Sequence, residues 1–437
     1  MKDIVNKIIH RVYKIFFQQE PSFAVDFFVK NLSFVAMGFG ISALLGIMTQ
    51  IMAGRILGPL ECGKYYLIQS TAAFLSLPML FGISTALTKY GAEKENFEDR
   101  KKIISTSYLI FISLSATFLI FFVFFAKPIS GILKIPFELY IYSVIFSFLF
   151  CSYAMSISII QGLRKMKILS IFQAIYGLIG ILTFLIFLYF KVSSFKAIFF
   201  ASSINYSIIF ILTIFIFKKY FSFDFDRNLG KKILRYGFYA SIGALASAVY
   251  FNFDRIIINN FFGAAEVGIY GSYYIAFIAS AGFIFNTFNL VFFPMVSSTK
   301  DKNIIFKKIN KIVFKLSLFV FLIMFIAGVI VLKFYGKKYQ LNFGLCFLFD
   351  IASVLSLINL IYGWCMSAVG EKGAKIVSVS AIVTAIVNVL VNILLVPRIG
   401  SFGSVIAIIL SYSASIIIII SQREYYKSKE VFVSLSA

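Results

Sequence analysis

This sequence predicts an all-α integral membrane protein: twelve transmembrane helices in two six-helix lobes that are parallel repeats of one another. Three observations carry that reading. Sixty per cent of the 437 residues are hydrophobic, mean hydropathy is +0.94 and only 14% are charged, against roughly 25% charge in an ordinary soluble domain. Apolar runs of about 20 residues recur along the whole length, and each suffices to cross a bilayer as a helix. The stretch Arg55-Ile-Leu-Gly-Pro-Leu-Glu-Cys-Gly-Lys-Tyr65 contains Gly58, Glu61, Gly63 and Tyr65, which return 205 positions later as Gly263, Glu266, Gly268 and Tyr270. Other pairs keep nearly the same offset: Gly162 with Gly370, Lys167 with Lys375, Phe195 with Phe402. A repeat at this spacing divides the chain into two similar halves, as many transporters are built.

The elements follow in order. Residues 1–31 are an amphipathic, cytoplasmic N-terminus. Ile4, Ile8, Val12, Ile15 and Phe16 recur at helical spacing, Lys2, Lys7, Arg11 and Lys14 lie elsewhere on the wheel, and Pro21 ends the pattern. A helix on the inner membrane surface and a short packing helix against the loops both fit. Spans are expected at 32–54, 65–88, 103–126, 138–160, 168–190 and 195–217, forming an N-lobe (32–217). A cytoplasmic linker, 218–235, leads to a C-lobe (236–421) with spans at 236–260, 268–292, 313–334, 344–368, 374–396 and 401–421. A cytoplasmic tail, 422–437, closes the chain. The first apolar run starts near residue 32 without a small-residue cleavage site, so no removable signal peptide is expected.

Orientation comes from counting. Of 41 Lys and Arg, thirty fall in segments that alternate onto one side and ten onto the other; Arg255 lies within a span. The excess puts both termini in the cytoplasm. It also accounts for the net charge of +23 through topology and anionic lipid headgroups rather than nucleic acid. The basic stretch 300–315, with Lys307, Lys308, Lys311 and Lys315 among isoleucines, is expected to be an interfacial helix. Gly38, Gly40, Ala43 and Gly46 in the first span, and Gly243, Ala244, Ala246 and Ala248 in the seventh, are expected at close helix contacts. Pro78 should kink the second span.

Catalytic and metal chemistry find little support. Cys62, Cys151, Cys346 and Cys365 show no CxxC spacing and lie in or beside apolar runs, so neither a disulfide framework nor a metal site is indicated. One histidine, His10, leaves no His-rich centre. No Gly-rich phosphate loop precedes Lys-Ser/Thr. Asp224-Phe-Asp226 lies in a short basic loop and reads as solvated charge. No cofactor is expected, although a coupling ion, H+ or Na+, stays open.

Charges within spans are costly and therefore mark candidates. Asp254 and Arg255 are adjacent in the seventh span, and helix neighbours point about 100° apart, so each needs a partner elsewhere. An interhelical salt bridge and a cavity role weigh equally. Asn252 and Asn259 extend the polar face of this span. Arg55 ends the first span, where snorkelling to headgroups and attraction of an anionic headgroup into a cleft are the two readings. Asp350, in the tenth span, is expected to pair with Arg255, or else to exchange a proton or cation. Glu61 and Glu266 are expected to cap or brace their matching turns.

At these residues the chain resembles a family. Arg55-x-Leu57-Gly58-Pro59-x-Glu61-x-Gly63-x-Tyr65, and Phe253-Asp254-Arg255 leading to Phe262-Gly263-Ala-Ala-Glu266-Val267-Gly268-Ile269-Tyr270, resemble the openings of the two halves of Wzx-type oligosaccharide flippases. These form the polysaccharide transporter branch of the multidrug/oligosaccharidyl-lipid/polysaccharide (MOP) superfamily. Cys62 stands where such proteins usually carry an aromatic residue. The resemblance implies the MOP flippase fold, a bacterial cytoplasmic membrane location, and a polyprenyl-pyrophosphate-linked oligosaccharide as cargo. That cargo would move from inner to outer leaflet by alternating access between the lobes, with glycosyltransferases and a polymerase of the same pathway as partners. Arg55 and Arg255 would line the cationic cleft. A cation-coupled drug exporter of the same superfamily is the alternative. A peptidoglycan-precursor flippase has more spans, and a membrane glycan polymerase or ligase needs a large outer loop that this chain lacks.

Overall fold

The computed structural model describes residues 23–285, 296 and 302–428, and there the chain is helix and tight turn. The first half comprises α1 (Phe23–Leu57), α2 (Pro59–Leu80), α3 (Ile83–Glu93), α4 (Phe97–Phe124), α5 (Ala126–Leu133), α6 (Phe137–Gly162), α7 (Met166–Tyr189) and α8 (Phe195–Ile216). A 3-10 turn, Lys218–Tyr220, precedes Arg227–Tyr274, which is bent at Gly263. The parts before and after that glycine are α9 and α10, and a π turn, Ile275–Ala279, carries α10 on towards Phe285. Then come α11 (Lys302–Tyr335), α12 (Phe343–Ser367), α13 (Glu371–Ile399) and α14 (Ser401–Ser428).

Among the described residues ten helices are long and apolar enough to cross a membrane, and the bent pair α2–α3 adds an eleventh. Arg227–Phe285 counts there as one helix of 59 residues, about 90 Å if straight, three times the hydrocarbon core. Its break at Gly263 makes it two spans. The molecule is thus a twelve-span, multi-pass membrane protein whose first and second halves each supply six.

Local chemistry sets the helix ends. Asn96, Ser194 and Asn342 cap α4, α8 and α12 through their side chains, and Asp226 caps α9 by accepting from the backbone N–H of Asn228 and Leu229. Pro59 opens α2 at a position where its missing N–H costs nothing.

Several expectations need correction. The connector 55–64 shrinks to Gly58, because Pro59 starts a helix at once. The last nine residues of the expected linker, 227–235, are already helix under the Asp226 cap, so Asp226 is a capping group rather than free charge. Lys302–Tyr335 is one continuous helix, so its basic start extends the ninth span instead of forming a separate interfacial helix. The break in the second span falls at Phe81–Gly82, both left-handed, with a 54° bend between α2 and α3, and not at Pro78 itself. There a Cβ on Gly82 would overlap the Gly237 carbonyl. Gly38 does pack against Ser170, but a Cβ on Gly46 or Gly243 would meet nothing within 4 Å. The amphipathic pattern before residue 23, the end of the eighth span beyond 285, and the tail after 428 lie outside the described residues.

The face bearing the Gly58 and Gly263 turns is here called upper. Near it the two halves share one hydrophobic core, with Tyr65, Tyr66, Ile257, Tyr270, Tyr273 and Phe349 in contact. Away from it each half has its own core. One gathers Met79, Leu87, Ile104, Met155 and Ile159, and also takes in Ile233 at the start of α9. The other gathers Ala281, Met324, Leu357 and Met366. The lobes therefore share a core at the upper end, and below it the start of α9 still packs on the first half, with Gly237 against the Phe81–Gly82 break and Tyr236 against Tyr90.

Candidate functional site

The upper junction is built by the repeated motif. Gly58 (φ 88, ψ 174) and Gly263 (φ 80, ψ 175) adopt the same extended positive-φ conformation, a region essentially closed to residues with a Cβ. Each lets a helix stop and restart within one residue. The following glycines then touch the opposite half. A Cβ on Gly63 would overlap the Ala264 carbonyl, 2.7 Å from its carbon; a Cβ on Gly268 would overlap the Pro59 carbonyl, also 2.7 Å from its carbon. Pro59 and Ala264 are themselves 205 apart, so each contact is the image of the other. The geometry is that of an isologous interface within one chain. Gly271 packs on the Tyr66 ring, and since 66 and 271 also differ by 205, this pair lies on the pseudo-twofold axis.

The motif's acidic and aromatic members secure each turn within its own half. Glu61 accepts from the Phe195 N–H (2.8 Å), at the start of α8, and from Lys64 Nζ (2.6 Å). Its repeat mate Glu266 accepts from the Ser401 hydroxyl, at the start of α14. Tyr65 shares a hydrogen bond with Ser202 (2.7 Å) and accepts from Gln69 Nε2 (2.9 Å). Tyr270 instead donates to Asp254, a fully buried carboxylate that also accepts from the Arg255 backbone N–H (2.8 Å).

Arg255 lies just below this junction. Its guanidinium carbon sits 5.6 Å from the Tyr66 ring centroid and 5.1 Å from that of Tyr274. Nη1 donates to the Ser70 hydroxyl at 3.4 Å, while Nε is buried without an acceptor. Tyr66 in turn donates to Gln50 Oε1 (3.2 Å). A C-terminal-half arginine is thus held by α2 of the N-terminal half and by α10. Among the described residues no carboxylate pairs with it. The expected ion pair with Asp350 is not formed. Asp350, fully buried on α12, accepts from Ser353 Oγ (3.3 Å) and keeps Oδ2 unpartnered. Asp254 and Asp350 therefore stand as two buried carboxylates, neither neutralising Arg255 through its side chain. The cation is left with π faces and a hydroxyl, an arrangement ready to accept an anion.

The remaining candidates separate. Arg55 is exposed at the last turn of α1, beside Gly336 after α11, and does not join Arg255. Nearby, Lys338 Nζ donates to the Ile56 carbonyl (3.1 Å) and places a second cation at the C-terminal end of α1. Asn252 folds back on the Ala248 carbonyl (3.1 Å). Asn259 reaches the Lys134 carbonyl (3.2 Å) and ties α9 to the end of α5 at the upper surface, rather than lining a cleft. Sequence reading missed Tyr66, Ser70, Gln50 and Tyr274. Tyr66 and Tyr274 are two of 24 tyrosines, and Ser70 and Gln50 are ordinary polar residues of apolar helices, so none carries a signal until Arg255 is seen against Tyr66, Ser70 and Tyr274.

Comparisons with known proteins fit this geometry. A family model described as "Polysaccharide biosynthesis protein" matches residues 28–300. A Shigella flexneri protein named "Putative O-antigen transporter" is 25% identical over 336 residues, covering 72% of this chain and 78% of its own. Among solved structures, the inward-facing form of a multidrug resistance MATE family transporter of the MOP superfamily matches with TM-score 0.66 at 14% identity. That match covers 98% of this chain and 99% of the other. An outward-facing MATE family structure gives 0.59 at 16% identity, covering 91% and 96%. A MOP superfamily transporter from Pyrococcus furiosus gives 0.60 at 15% identity, covering 94% and 100%. At these identities the likeness is one of fold.

Proposed function

The chain belongs to the polysaccharide biosynthesis protein family, and from that premise we propose that it is a flippase for polyprenyl-pyrophosphate-linked oligosaccharide. The cargo crosses from the inner to the outer leaflet of a bacterial cytoplasmic membrane, and the upper face is the outer one. The role is transport, not catalysis. A pyrophosphate and its sugars are excluded by hydrocarbon, so a carrier must offer a cation inside the bilayer while the lipid tail stays in lipid.

The observation that carries this reading is Arg255, half-buried between the two halves with no carboxylate on its guanidinium. A hydrophobic drug cation would meet like charge there, which favours an anionic head. The halves meet through α2, α3 and α9, and rocking of one against the other opens the upper glycine junction. Binding advances transport only through differential affinity for the two states. Arg255 supplies that difference, because opening the junction removes Tyr66 and Ser70 from it.

Export of surface polysaccharide in a strain lacking its own flippase tests the proposal. Arg255→Lys should retain measurable export and Arg255→Ala should lose it at matched protein levels. Equal export by Ala and parent, or drug resistance without polysaccharide export, would reject it.

A further inference from the structure

Within the C-terminal half, α9, α12, α13 and α14 line a half-open cavity of about 250 Å³, room for roughly eight waters. A Cβ on Gly363, buried on α12, would meet nothing within 4 Å, so the missing side chain there helps open the space. The wall carries no charged residue. Several of its hydroxyls already donate to helix carbonyls. Ser247, Ser380 and Thr384 donate their hydroxyl hydrogens to the carbonyls of Gly243, Val377 and Ser380 at 3.0, 2.8 and 2.7 Å. Their oxygens keep lone pairs for a guest. Ser415 donates to Asn359 Oδ1 (2.7 Å). That bond orients the amide and leaves Nδ2 as a donor without a partner among the described residues. Trp364, Tyr250 and Tyr412 add flat ring faces, each with an N–H or O–H at its edge.

Hydroxyl lone pairs, donors from the Asn359 amide and the ring edges, flat ring faces and no charge match one class of ligand: an uncharged, polyhydroxylated ring. A hydrophobic cation would also find ring faces, but it would meet the positive end of the Asn359 amide and no carboxylate. Tyr250 precedes Arg255 by five residues, about 7.5 Å along the α9 axis. The two side chains point about 140° apart, so a glycan attached to a headgroup at Arg255 would reach this wall by passing round α9. We propose that the cavity is a subsite for a neutral pyranose unit of the transported glycan, distinct from the cationic site at Arg255; it rests on the flippase reading above.

The test uses the sole tryptophan of the chain. Its emission is followed in full-length protein in lipid nanodiscs during titration with N-acetylglucosamine, methyl α-glucopyranoside and, separately, tetraphenylphosphonium. The expected result is a saturable response to the sugars. It should be lost in Gly363→Val, which fills the space, and in Asn359→Leu, which removes the donor. It should persist in Arg255→Gln. Each variant is first matched to the parent in elution profile and thermal melt, and either substitution alone decides if the other does not fold. No sugar response, a response to tetraphenylphosphonium alone, or a sugar response unchanged in the folded variants would each overturn the subsite. Polysaccharide export separates the two claims. An exporting protein whose Trp364 ignores sugars loses only the subsite, whereas sugar binding without export removes the flippase reading.

Discussion

Replacing Gly268 by Ala adds one methyl group at the point where the two halves touch. The new Cβ would stand 2.7 Å from the Pro59 carbonyl carbon and 3.0 Å from its Cα, where carbon pairs normally rest at about 3.5–4.0 Å. Both sides of the contact are helix backbone, so no rotamer change relieves the overlap. The halves must separate at the upper end by on the order of 1 Å. Overpacking of this kind costs about 1–3 kcal/mol. Because only the closed junction bears that cost, the open form should gain about five- to 140-fold in relative population, at 1.4 kcal/mol per tenfold. Spin labels at Leu60 and Phe261, 49% and 57% exposed at the upper ends of α2 and α9, report the separation by pulsed dipolar spectroscopy. Longer distances should grow in Gly268→Ala. Gly63→Ala should match it, since the two contacts are images. An unchanged distribution in folded protein, or opening in one variant and not its twin, would refute the rocking junction.

Other outcomes follow from the same geometry. Gly263→Ala faces no crowding but must hold φ 80, so it should lower thermal stability by about 1–3 kcal/mol; a variant as stable as the parent would show that the turn relaxes freely. Tyr270→Phe removes the hydroxyl that donates to buried Asp254 and should cost about 1–3 kcal/mol, with Asp254→Asn in the same background restoring part of it. Restoration would appear in chemical denaturation of the detergent-solubilised protein, and none would mean the pair is not coupled. Single cysteines at Phe223, 95% exposed, and Phe261 should react with an impermeant thiol reagent from the cytoplasmic and outer sides respectively. The opposite pattern would invert the proposed orientation.

Much of the architecture is legible without coordinates because it depends on local and additive quantities. Hydropathy accumulated over about 20 residues predicts a span wherever the spans pack, and the repeat of Gly58, Glu61, Gly63 and Tyr65 marks the two halves by identity alone. What fails is whatever depends on helix rotation. Arg255 and Asp350 look like natural partners as the scarce charges of the seventh and tenth spans, yet α9 turns Arg255 toward Tyr66 and Ser70 while Asp350 bonds within α12. Arg55 and Arg255 look like a matched pair, yet 255 corresponds by repeat to Gln50, which reaches Arg255 only through Tyr66.

By itself the sequence determined that this chain crosses a membrane twelve times, in two copies of one plan joined through glycine turns. Only the tertiary structure decided that Gly63 and Gly268 meet across a pseudo-twofold axis, that Arg255 stands between the halves with no ion-pair partner among the described residues, and that an uncharged cavity opens within the C-terminal half. Apolar periodicity specifies which segments leave water. The azimuth and depth of each helix are set by packing against all the others, and no stretch of sequence contains that sum.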